Sequence, residues 1–158
     1  MPTLLQDIQA KCSAELLATR DCAAITAAFN AGRKRIEQPH FVGDGTVSNA
    51  LGRPTGPLFV LWLQRAAAAA PAPDAPIEVQ AAYAEIAQAC RLLLEGKLDV
   101  GLPIVRSGID GLVGVAPGFT QEQANTIKAL AEVPDPIDEN EIVRACWSDD
   151  GQWLAGGS

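Results

Sequence analysis

Histidine is almost missing from this chain: His40 is the single one among 158 residues. That scarcity argues against a metal site built on paired imidazoles, and any Ser-His-Asp arrangement would have to use this one residue. Cysteines are few and scattered. Cys12, Cys22, Cys90 and Cys146 lack the close pairing of zinc or redox sites, and each falls at an apolar position of an expected helix, which is the pattern of reduced core thiols. The longest apolar stretch, 57–63, stops at Gln64 and Arg65, well short of the roughly 20 residues a membrane-spanning helix needs. Basic charge is lacking in the last third, where residues 110–158 carry nine acids against Lys128 and Arg144 alone, while residues 1–109 balance at ten of each sign. An acidic surface repels phosphate backbones, and the one basic cluster, Arg33, Lys34 and Arg35, is too short to outweigh that. Neither nucleic acid nor membrane is expected as a partner. The start of the chain lacks the basic and apolar segments of a secretory signal, so a cytoplasmic location is expected, or the virion if the chain is phage-encoded.

What is present is alanine. Apolar residues make up 48% of the chain and aromatics only 5%, and alanine is the residue that loses least on entering a helix. The expectation is a mainly α, bundle-like domain over 1–147 with at most a minor strand, followed by a polar tail over 148–158. Helices are predicted over 4–12, 14–20, 21–31, 58–70, 77–95, from Pro103 onward, over 120–133 and over 138–147. The starts carry the signals that require them. Ser13 and Asp21 are N-caps, Pro103 suits a first helical turn, and Thr120 with Gln123 and Asp138 with Glu141 have capping-box spacing. The helix at 58–70 is apolar nearly all round and reads as the central packing partner of the others. Gly108, Gly111 and Gly114 recur at intervals of three, which would let a neighbour pack closely against the helix that starts at Pro103. Prolines make linkers of 71–76 and 133–137, and the region 38–57 is irregular, with an extended piece, a short strand, over 36–42 and one helical turn over 46–51.

No motif for catalysis, cofactor or metal binding survives inspection. His40 beside Asp44 is the one arrangement that could support an enzyme, and no nucleophile motif accompanies it. The run from Gly43 to Gly52 lacks the lysine of a Walker loop and the third glycine of a dinucleotide loop, and reads as a hinge leading into a short helix. Asp135, Asp138, Glu139 and Glu141 do not follow the ligand spacing of an EF-hand. Candidate partner-binding residues remain. Arg33, Lys34 and Arg35 follow a helix C-terminus, where positive charge also suits the helix dipole. His40 and Phe41 lie in the glycine-rich region. Trp147 continues an apolar stripe, whereas Trp153 has no stripe of its own and reads either as an exposed docking anchor or as part of a tail folded back on its own domain.

Several segments carry a resemblance: Asp7-Ile8-Gln9, the run from Ala14 to Asp21, Ala31-Gly32-Arg33, and the run from Ile127 to Pro136. Across most of residues 1–145 the chain resembles small uncharacterised proteins of tailed bacteriophages and prophages. That resemblance transfers no catalytic residue. It implies a non-enzymatic structural or assembly component whose partners are other virion proteins or further copies of itself. The alternative is a small regulatory protein that sequesters a host protein or small ligand.

Overall fold

A computed structural model describes residues 2–156. The fold is mainly α, with nine helices and two small two-stranded sheets among the described residues. Where the sequence reading drew one domain over 1–147, the chain divides into two compact units with separate cores. Unit 1 joins the two ends, Met1–Arg35 and Val133–Ser158, and unit 2 is the stretch Ile36–Glu132 between them.

Unit 1 is built from α1 (Leu4–Lys11), α2 (Ala14–Ala18), α3 (Cys22–Asn30) and α9 (Glu139–Cys146). Each begins at a side-chain cap: Thr3 with the reciprocal Gln6, Ser13, Asp21 and Asp138. These caps accept from amides that a helix start leaves without partners. At α9 Asp138 accepts from the Asn140 amide rather than completing the box expected with Glu141. The buried stripe of α3, Ile25 and Phe29, meets Ile8 of α1 and Ile142 and Cys146 of α9. Asn30 fixes the chain entering α9, donating to the Ile137 carbonyl and accepting from its amide, both at 2.9 Å. The helices at 21–31 and 138–147 pack on each other within this unit.

Unit 2 contains β2 (Phe41–Val42), α4 (Asp44–Leu51), α5 (Thr55–Ala68), α6 (Ile77–Leu94), β3 (Leu98–Asp99), α7 (Pro103–Gly111) and α8 (Gln121–Ala129). β2 and β3 pair antiparallel, with Phe41 opposite Asp99 and Val42 opposite Leu98. The remaining strands, β1 (Lys34–Ile36) and β4 (Glu132–Pro134), form the second sheet. β4 lies where the sequence suggested the end of a helix over 120–133. α8 ends at Ala129, and a residue before proline is driven out of the α region, so Val133 ahead of Pro134 is extended. α5 packed on α6 forms the main helix pair, and α4 approaches α5 so closely that Gly56 meets the Ser48 backbone directly. The apolar surface of α5 is only partly used. Phe59, Val60 and Leu63 are buried and Phe59 stacks on Phe119 at 4.6 Å, but Leu58 and Leu61 face solvent. α5 is thus packed on one side, not on several.

Candidate partner-binding groove

Each residue singled out in the sequence has a definite place. Arg33 lies over the Phe29 ring at 5.4 Å and grips Asp135, donating from Nε to its carbonyl at 2.7 Å and from Nη2 to its carboxylate at 3.0 Å. Arg35 reaches the same carboxylate at 4.0 Å, and Lys34 is engaged as well. Arg33 is thereby absorbed by unit 1.

Trp147 and Trp153 form a β-bridge, and their rings meet edge to face with centroids 5.0 Å apart. Ser148 accepts from the Gln152 amide, the Leu154 amide donates to the Cys146 carbonyl, and Ala155 is fully buried in the core of unit 1. Of the two readings left open for Trp153, the structure has the segment folded back onto its own unit. The part of 148–158 that is described, through Gly156, carries a defined hairpin-like turn. The indole N–H of Trp153 is buried without a hydrogen-bond partner among the described residues.

His40 is held by its backbone and its ring. Its amide donates to Asp99 Oδ1 at 2.8 Å, an oxygen that also accepts from the Gly101 amide at 2.9 Å, and its Nδ1 lies 2.8 Å from Glu37 Oε2. The carboxylate on the ring is therefore Glu37, and Asp44 instead opens α4. Asp99 is the buried acid of the unit, and its two amide bonds account for its burial. Phe41 follows with 60% of its surface exposed. Val47, inside the glycine-rich run, is buried in α4, so that run contributes to the core. No group of three or more His, Cys, Asp or Glu side chains suited to a metal ion occurs among the described residues, and none of their helices is long and apolar enough to cross a membrane.

One concave feature was not legible as a site in the sequence. α6 packs on α5, α7 packs on α8, and α6 and α7 do not pack extensively on each other. Polar ties explain why α7 takes that side. Arg106 donates to the Lys128 carbonyl at 2.7 Å and reaches Glu132 Oε1 at 3.4 Å, while Asp110 accepts from both Lys128 and Gln121. The lysine, with the glutamine second, holds the Asp110 carboxyl below its ordinary value. With its charged face tied to α8, the other face of α7 looks across a gap toward α6. The gap is a groove of about 730 Å³, inside the range of roughly 300–1,000 Å³ usual for ligand sites.

The groove is apolar. Its floor includes Val47, Phe59, Leu63 and Ile127, and Ile86 and Leu92 stand on its α6 wall. On the α7 wall Gly108 and Gly111 are bare, and a Cβ added to either would meet nothing within 4 Å. The glycines expected to admit a packed neighbour thus face open space. Ile104, 73% exposed, stands on the same helix face. Only Glu85 and Gln88 among the lining residues are polar, and both are exposed on α6. Gln88 already accepts from Arg91 at 2.9 Å.

Compared with models of known families, with curated proteins and with solved structures, the chain matches none.

Proposed function

We propose that this chain is a non-enzymatic interaction protein whose α6–α7 groove receives an apolar helix from a protein partner. The observation that carries this reading is the unfilled α7 wall, where two glycines leave backbone facing an apolar trough. The α6 wall from Ala82 to Leu93 runs roughly 16 Å at about 1.5 Å per residue, the length of a three-turn helix. Bare glycine backbone permits close helix approach, and helix-in-groove recognition uses apolar anchors at one-turn spacing. A small-molecule site normally adds a few convergent polar groups that fix orientation, and neither polar group here is buried in the trough. The resemblance to phage and prophage proteins supports a partner drawn from a virion or its assembly.

Substituting Gly108→Leu tests the reading, because a Cβ at this position meets no atom of the chain within 4 Å and starts a side chain on the wall of the groove. A 16-residue amphipathic helical peptide with an Ala/Leu face should bind the full-length protein and lose at least tenfold in affinity to the variant. Equal affinity for both proteins would remove the groove from the account. For the phage part of the proposal, an identified virion protein should co-purify with the wild-type chain and not with Gly108→Leu. If fatty acids or metabolites raised the melting temperature of the wild type while the peptide failed to bind, the regulatory ligand-binding alternative would take precedence.

A further inference from the structure

Glu85 is the single charged side chain lining the groove, and it has no ion pair among the described residues. The other carboxylate of this region, Asp110, is already committed to Lys128 and Gln121. A helix seated between α6 and α7 would draw Glu85 partly out of water. Removing a carboxylate from water is costly unless a cation comes with the occupant. An occupant with a neutral or acidic flank is thereby penalised, and one with a correctly placed lysine or arginine is not.

Resting on the groove reading above, we infer that the partner helix is basic along the flank that faces α6, with a lysine or arginine that pairs with Glu85. The surroundings favour the same sign. Unit 2 carries ten acids against six bases, so its field attracts a cationic segment before contact. Recognition is then divided: the apolar trough supplies the surface buried, and Glu85 selects which amphipathic helix is accepted and in which orientation.

Two helical peptides of 16 residues with the same Ala/Leu face, one flanked by lysines and the other by glutamines, test this on the full-length chain by fluorescence anisotropy. The lysine peptide should bind the wild type about fivefold more tightly than the glutamine peptide at low salt, a rim ion pair being worth about 1 kcal/mol. Glu85→Gln should bring that ratio to about one by weakening the lysine peptide alone. Glu122→Gln makes the same change in net charge on α8, outside the groove lining, and should keep the preference. A wild type without preference, or a preference lost equally in both variants, would overturn the role of Glu85 and leave the groove standing. If neither peptide binds the wild type, or both bind Gly108→Leu unchanged, the groove reading itself falls. Light scattering covers one other occupant, since a concentration-dependent dimer abolished by Gly108→Leu would mean that a second copy fills the groove and would overturn the basic-partner assignment.

Discussion

Trp147 and Trp153 meet edge to face across a β-bridge, closing a turn that brings Ala155 into the core of unit 1. Aromatic pairs of this geometry contribute about 0.5–1.5 kcal/mol beyond the area they bury. Trp153→Ala should therefore lower the stability of unit 1 by about 2–3 kcal/mol, less than the roughly 3–5 kcal/mol of a fully buried tryptophan. Urea unfolding measures the loss. A variant as stable as the wild type would return Trp153 to the role of a surface anchor.

Two glycines should respond to alanine in opposite directions. A Cβ at Gly56 would lie 2.2 Å from the Ser48 carbonyl oxygen and 2.6 Å from its Cα, so α4 and α5 would have to separate. Overpacking of that kind typically costs about 1–3 kcal/mol, and the Gly56→Ala melting temperature should fall accordingly. Gly108 lies inside α7 with open space beside it, and Gly108→Ala should gain about 0.5–1 kcal/mol from helix propensity alone. Thermal melts of the two variants on either side of the wild type are the expected result.

The Asp110 carboxyl is held below its ordinary value by hydrogen bonds from Lys128 and Gln121. A carboxyl lowered on folding adds stability that is fully present above its unfolded value, here about 3.8, and that is lost as pH falls through the lower folded value. In Lys128→Met the Asp110 titration followed by NMR should move up toward the ordinary value. Below about pH 4 the wild type should then lose stability more steeply than the variant.

Cysteine labelling should follow burial. Cys12, Cys90 and Cys146 are buried and Cys22 is half-buried. Burial pushes the thiols of Cys12 and Cys90 up, and that of Cys146 to about 11, chiefly by desolvation and further through Cys22 and Cys12. The thiolate is the reacting species. At pH 8 iodoacetamide should modify Cys22 first and Cys146 only under unfolding conditions, as read by peptide mass spectrometry. Early labelling of Cys146 would show that α9 opens readily.

The parts of this fold that were legible in the sequence are those set by neighbours a few residues apart. Ser13, Asp21 and Thr120 each cap the helix they were expected to cap, and the reciprocal bond from Gln123 is present. The helix over 77–95 appears as Ile77–Leu94, with Cys90 and Leu93 buried and Leu94 exposed. What periodicity could not reveal was pairing over long separations. Nothing local links Asn30 to Ile137 or Arg33 to Asp135, and those contacts put α3 and α9 in one unit. The groove is not encoded locally, for the same reason. The spacing of Gly108 and Gly111 suggested close approach of another element, but only the Arg106 and Asp110 ties to α8 decide that this face is left open. Glu85 carries no sequence signal at all, since its importance comes from the surroundings it shares with apolar residues distant in the chain.

The division of unit 1 between the two chain ends has a consequence during synthesis. The apolar sides of Ile8, Ile25 and Phe29 are made first, yet Ile142 and Cys146, which complete their core, emerge more than a hundred residues later. At about 5–20 residues per second the ribosome takes on the order of ten seconds to cover that distance. All of Ile36–Glu132 is translated in the interval, so its helices can assemble while the nascent amino-terminal segment still waits for its carboxy-terminal complement.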